Sequence, residues 1–112
     1  MSRGDVYWAD LNPSWGSEQA GIRPVIIVQR GNLENFTRTV VVVPLTSNLR
    51  RAKIPGTITI PAGTGGLTQD SVALCYQIVV IDRERLQGQL GTLSTDCLLL
   101  LEQALKYTLE LS

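Results

Sequence analysis

Histidine is absent from all 112 residues. That absence removes Ser-His-Asp and Cys-His nucleophilic catalysis, His-ligated zinc, and ribonuclease chemistry built on two histidines. Acid–base work is left to Arg, Lys, Glu, Asp, Tyr or bound water. Cysteine is scarce as well. Cys75 and Cys97 stand far apart, and without histidine they make no metal site. They read as small buried hydrophobes rather than a disulfide in a cytosolic chain. No metal or cofactor is expected. Long apolar runs are also missing. VIIV and VVVV are strand-sized, well short of the roughly 20 residues that span a bilayer. The start, MSRGDVYW, carries charge at once and has no apolar run, so no signal peptide is expected. The resulting expectation is a soluble, cytoplasmic protein with no membrane association. Finally, there is no net charge: ten Lys and Arg balance ten Asp and Glu. Bulk charge therefore does not announce a nucleic-acid partner.

What is present is a core. Apolar residues make up 44% of the chain, too many for a disordered segment and enough for one ordinary domain spanning 1–112. The charge is unevenly placed. Residues 1–53 hold seven basic against four acidic side chains, and residues 54–112 hold three against six. An anionic ligand on the first half is permitted by this asymmetry.

Gly4 to Leu11 alternates, with Val6 and Trp8 on one side and Tyr7 and Ala9 on the other, as in a half-buried strand. Trp8 reads as core. Asn12-Pro13 breaks the strand, and Ser14 to Ile22 is a polar loop with Gly16 and Gly21. Arg23 closes that loop in extended geometry imposed by Pro24, and VIIVQ follows as a strand. A helical turn is expected near Leu33 to Phe36. Thr39 to Leu45 is apolar on both faces and so central. Thr46-Ser47-Asn48 leaves it. Leu49 to Pro55 reads as a basic loop, Gly56 to Pro61 as a short strand, and Ala62 to Leu67 as a glycine-rich turn. Thr68 to Tyr76 and Gln77 to Asp82 are two strands or one bent one. Arg83 to Leu86 is a helical turn, and Gln87 to Leu93 a weak strand with a bend or bulge. Ser94 or Thr95 caps a terminal helix in which Leu98, Leu101, Leu105 and Leu109 share a face. Leu99 and Leu100 widen that apolar surface, which suits insertion between two surfaces or a dimer. The fold class is mainly β with a C-terminal helix (α+β), an antiparallel barrel-like sheet.

Two blocks stand out chemically: the loop closed by Arg23, and PLTSN at Pro44 to Asn48. Arg23 on its own is either a salt-bridged surface arginine at a strand start or a phosphate-binding group, since a guanidinium fork matches two phosphate oxygens; strand-end hydroxyls add donors. The two blocks are expected to meet in a phosphate site.

The blocks GDVYWADLNP, GSEQAGIRPVIIVQ, VVVPLTSN and DSVALCYQIVVIDRERL, in that order, strongly resemble the MazF/PemK family of toxins from bacterial toxin–antitoxin pairs. The resemblance covers nearly the whole chain. It implies an SH3-like antiparallel β-barrel of the MazF/Kid/CcdB type that forms a homodimer. It also implies a sequence-specific, metal-independent endoribonuclease acting on single-stranded RNA, chiefly mRNA. The cognate antitoxin would block the site in a heterohexamer or similar assembly, and DNA would be met only through that antitoxin. Arg23 matches the catalytic arginine of G-x-R-P, and Thr46 matches the threonine of the PLTS block. Glu18 is the nearest candidate for a general base, or else a solvated loop charge. Trp15, Ser17 and Gln19 are candidate base contacts. Ser47 and Asn48 are either RNA contacts or turn caps. Arg50, with Arg51 and Lys53, either tracks the RNA backbone or forms a solvated basic loop. Gln77 falls where the family places RNA-contacting polar groups. Asp82 to Arg85 reads as structural ion pairing.

Two alternatives come from other classes. The gyrase-poisoning toxins share this fold but act through a C-terminal tryptophan, whereas here no Trp follows Trp15 and the chain ends LELS. An inactive interaction module is the other, against which Arg23 and Thr46 both stand.

Overall fold

The computed structural model describes residues 1–112. Seven strands and one helix follow in order: β1 Asp5–Asp10, β2 Ile22–Ile27, β3 Thr39–Thr46, β4 Thr57–Ile60, β5 Ser71–Leu74, β6 Val79–Asp82, β7 Leu86–Thr92 and α1 Thr95–Leu109. All pairings are antiparallel, in the order β4-β5-β3-β2-β1-β7, with β6 also on β3.

β3 organises the sheet. Its first half pairs with β6, Thr39 to Val42 against Asp82 to Val79, and its end pairs with β5, Leu45 and Thr46 against Ala73 and Val72. β5 and β6 are thus separate strands on one edge of β3, joined by a 3-10 turn at Cys75–Gln77. Alternation along the strands explains two cores. Val6, Ile26, Val43 and Leu45 face one cluster, closed by Leu101 of α1. Ala9, Leu11, Val25, Ile27, Val40 and Val42 face the other. Both faces of β2 and β3 are covered, as their continuous apolar runs require. Pro24 is tolerated in this interior strand because it sits just ahead of the β2–β3 ladder, which starts at Val25 opposite Pro44.

The barrel is not closed by hydrogen bonds, since β4 and β7 are the two ends of the strand order. The gap is bridged instead by the loop after β4. Gly65 and Gly66 lie against Leu90 and Gly91 of β7 so closely that a Cβ on Gly66 would collide with the Leu90 backbone. β7 carries the expected irregularity, with register shifts against β1 on both sides of the Tyr7–Trp8 pair.

Two local expectations are corrected. Leu49–Lys53 is not an irregular loop but a 3-10 turn, whose start is capped by the Asn48 side chain accepting the Arg50 N–H at 3.2 Å. Trp8 is not core. It shares the face of Val6 but lies past the end of that cluster and is 41% exposed.

α1 starts as expected: the Ser94 hydroxyl accepts the Cys97 N–H at 3.2 Å. Leu101 is fully buried, Leu98 and Leu105 pack beside it, and Leu99, Leu100 and Leu109 are about half exposed. No helix is long and apolar enough to cross a membrane. Both cysteines are free. Cys75 is fully buried, and burial pushes its thiol up to about 11. A thiol-specific reagent at pH 8 is therefore expected to leave Cys75 unmodified in the native protein and to label it after denaturation, as read by intact-mass shift. Labelling of Cys75 in the folded protein would contradict this packing.

Candidate active site

The site is set by strand register. β2 and β3 pair Val25 with Pro44, Ile26 with Val43 and Ile27 with Val42. Carrying the same register two residues further places Arg23 opposite Thr46. Because side chains repeat every two residues, the two also share a sheet face. Both line one pocket of about 250 Å³ at this end of the strands, with Ser47 beside them. The two sequence blocks therefore do converge.

Arg23 is half-buried, and its Nε donates to the Ala20 carbonyl at 3.0 Å. That bond ties the arginine to the end of the preceding loop. The three ion pairs of the protein are Met1–Glu34, Arg3–Glu102 and Arg38–Glu84, and no carboxylate lines the pocket. The guanidinium is thus an uncompensated cation at the pocket wall. Thr46 is only 7% exposed. Its hydroxyl oxygen accepts the Asn48 N–H at 3.2 Å, which leaves the hydroxyl proton free for an anionic oxygen. A fork of charged donors plus a fixed hydroxyl is an arrangement for holding phosphate.

The other candidates fall elsewhere. Glu18 does not line this pocket. Its carboxylate accepts the Trp15 N–H at 2.6 Å, closing its own loop, and it borders a second groove of about 530 Å³ with Gln19 and Gln77. Gln77 is committed to that loop: its side-chain oxygen accepts the Gln19 N–H at 2.9 Å and its amide donates to the Ser17 carbonyl at 3.1 Å. In this conformation it pins residues 17–19 rather than presenting a free amide. Trp15 stands out from the same loop, 81% exposed. Asn48 is occupied as a turn cap, whereas Ser47 is exposed in the Arg23 pocket. Arg50 is exposed, and Arg51 donates to the Tyr76 hydroxyl at 3.1 Å, so only part of the basic turn is free.

The segment Asp82 to Arg85 is structural, though mostly through backbone contacts. Asp82 accepts the Glu84 N–H at 2.9 Å, Arg83 donates to the Glu34 carbonyl at 3.1 Å, and Arg85 clamps the Asp10 and Asn12 carbonyls at the root of the loop.

Sequence reasoning missed the far wall of the pocket, made by Trp8, Thr68 and Gln69. The polar start ahead of β5 was the available signal for Thr68 and Gln69. Nothing local distinguishes a tryptophan over the core from one just past its edge.

A small α+β protein of the SH3-like barrel type, holding an uncompensated arginine opposite a buried threonine, is the class that fold and site define. The chain belongs to the PemK-like, MazF-like toxins of type II toxin–antitoxin systems, whose family pattern matches residues 2–109. It is 39% identical over 111 residues to Endoribonuclease EndoA of Bacillus subtilis (strain 168), covering 99% of this chain and 96% of that one. Among solved structures, MazF from Deinococcus radiodurans superposes with a TM-score of 0.84 at 26% identity, covering 99% of this chain and 97% of that one. An endoribonuclease in complex with its cognate antitoxin from Mycobacterial species superposes with a TM-score of 0.81, also at 26% identity, covering 100% and 97%.

Proposed function

We propose that this chain is a toxin endoribonuclease that cleaves single-stranded RNA, chiefly mRNA, at specific sequences without a metal ion, and is neutralised by a cognate antitoxin. The observation that carries the reading is the meeting of Arg23 and Thr46 in one pocket with no carboxylate to compete for the cation. Kinship with a named endoribonuclease along nearly the full chain supports it. So does the solved likeness of an endoribonuclease bound to its antitoxin.

The chemistry follows from what the pocket holds. The ribose 2′-oxygen attacks the adjacent phosphorus in line, the bond to the 5′-oxygen breaks, and that oxygen takes a proton. The products are a 2′,3′-cyclic phosphate and a 5′-hydroxyl. Charge accumulates on the non-bridging oxygens at the transition state. The Arg23 fork and the Thr46 hydroxyl meet it there, already oriented. Arg23 serves as an electrostatic group, because a guanidinium is a poor proton donor at neutral pH. Removal of the 2′-hydroxyl proton falls to solvent, or to Glu18 after a movement of the loop that now holds it away.

The 112 residues act as one domain, in the cytoplasm where mRNA lies. The chain works as a homodimer: the half-exposed Leu99, Leu100 and Leu109 of α1 form an apolar surface that a monomer would leave in water.

The test is direct. Purified protein is incubated with a long single-stranded RNA in EDTA, and the ends are mapped. Discrete cuts bearing cyclic-phosphate ends are expected. RNA that stays intact at high concentrations of antitoxin-free protein would refute the reading, and inhibition of gyrase supercoiling would replace it with the non-enzymatic one.

A further inference from the structure

The residue that the alternation assigned to the core has moved into the pocket. Trp8 pairs across strands with Pro24 on one side and with Gly88 on the other. Trp8 is 41% exposed, although it lies on the same sheet face as the buried Val6. A partly exposed aromatic ring in a pocket that also contains a phosphate-type arginine has the composition of a base-stacking platform.

The same pocket carries an edge reader. Gln69 is exposed and lines the pocket. The Ser71 hydroxyl donates to the Gln69 backbone carbonyl at 3.0 Å, and the Gln69 side-chain amide makes no hydrogen bond within the protein. A carboxamide offers a donor and an acceptor side by side, the pattern that a nucleobase edge complements. By contrast, Gln77 and Asn48 have already committed their side chains to backbone partners. The loop bearing Gln69 is held by the contact of Gly65 and Gly66 with β7. Reader and platform therefore line one pocket, with the reader's loop fixed against β7.

We propose that Trp8 and Gln69 form a single-nucleobase subsite of the RNA substrate, Trp8 stacking on the base and Gln69 reading its edge, next to the phosphate held by Arg23 and Thr46. This rests on the RNA-cleavage reading and names residues that set part of its sequence choice.

Two measurements test it. First, tryptophan emission is followed during titration with uridine 3′-monophosphate and adenosine 3′-monophosphate. Quenching by at least one of them is expected in the wild type, none by inorganic phosphate, and loss of the quench in Trp8→Phe, where Trp15 is the sole indole. Second, cut sites on a long RNA of mixed sequence are mapped. Trp8→Ala is expected to raise KM by about 10- to 100-fold, the usual worth of one stacked base. Gln69→Ala is expected to relax the cut consensus at one position while cleavage continues. A quench that persists in Trp8→Phe, or a Gln69→Ala cut map identical to wild type, overturns the subsite while leaving the nuclease intact. Quenching by nucleotides in a protein that cuts no RNA leaves the base site standing and removes the nuclease reading.

Discussion

Arg23→Ala is expected to lower kcat for RNA cleavage by about 100- to 1,000-fold, the usual cost of removing one oriented donor from a site that stabilises developing negative charge. The argument is one of scarcity. No second cation and no carboxylate line the pocket, so nothing takes over when the guanidinium is gone. The fold loses little, since Arg23 makes a single Nε bond to Ala20 and no ion pair. A hydrogen bond of that kind is worth about 1 kcal/mol, so the thermal transition should remain cooperative. Arg23→Lys keeps the charge and loses the two-pronged geometry, and is expected to fall between Ala and the wild type. Cleavage kinetics on a short fluorogenic RNA, with circular dichroism as the folding control, decide the matter. An Arg23→Ala protein that cuts within about threefold of wild type would place the phosphate elsewhere.

The second large effect is structural. Gly66→Ala is expected to cost about 3 kcal/mol or more and to lower Tm by roughly 10 °C or more. Two penalties add. Gly66 has φ +78°, where an L-residue costs about 1 kcal/mol, and its new methyl would run into the Leu90 carbonyl backbone. Backbone cannot rotate aside as a side chain does, so the loop after β4 must lift away from β7. Gly63 in the same loop supplies the control. Its φ is +89° but nothing lies within 4 Å of a Cβ built there, so Gly63→Ala carries the conformational penalty alone, about 1 kcal/mol. Equal losses for the two variants would mean that the glycine contact does not hold the sheet together. Because Gly66, Leu67 and Leu90 also line the Arg23 pocket, Gly66→Ala should weaken RNA binding in the fraction that remains folded.

These two residues mark what sequence could and could not disclose. Arg23 was legible chiefly through its resemblance to the family's G-x-R-P arginine, with the lack of histidine leaving few other groups able to meet a phosphate. Thr46 was legible as the hydroxyl ending the most apolar strand. The strands themselves announced their faces: Val40 and Val42 against Val41 and Val43 do separate into the two cores. Other features depended on distant partners. The Gly66 contact is made with a strand more than twenty residues away. Gln77 was expected among the RNA contacts by resemblance, whereas its side chain is bonded to the Ser17 and Gln19 backbone. Leu49–Lys53 winds into a 3-10 turn too short to leave a periodic trace. Trp8 showed its face correctly, but where a core ends is decided by the elements packed on it, and alternation carries no such information.

β3 also acts as a ruler. It is keyed to three strands at once, to β6 along Thr39–Val42, to β2 along Val42–Pro44 and to β5 at Leu45–Thr46. A slip by one residue would turn every side chain to the opposite face, presenting Leu45 in place of Thr46 opposite Arg23. Spacing between Arg23 and Thr46 is therefore quantised. Single-residue insertions or deletions within β3 erase the site outright, whereas the 31–37 connection, which bears no register, can lengthen or shorten without moving Arg23 relative to Thr46. Changes of length are thereby confined to the connections, leaving β3 as the measure against which the rest of the chain is set.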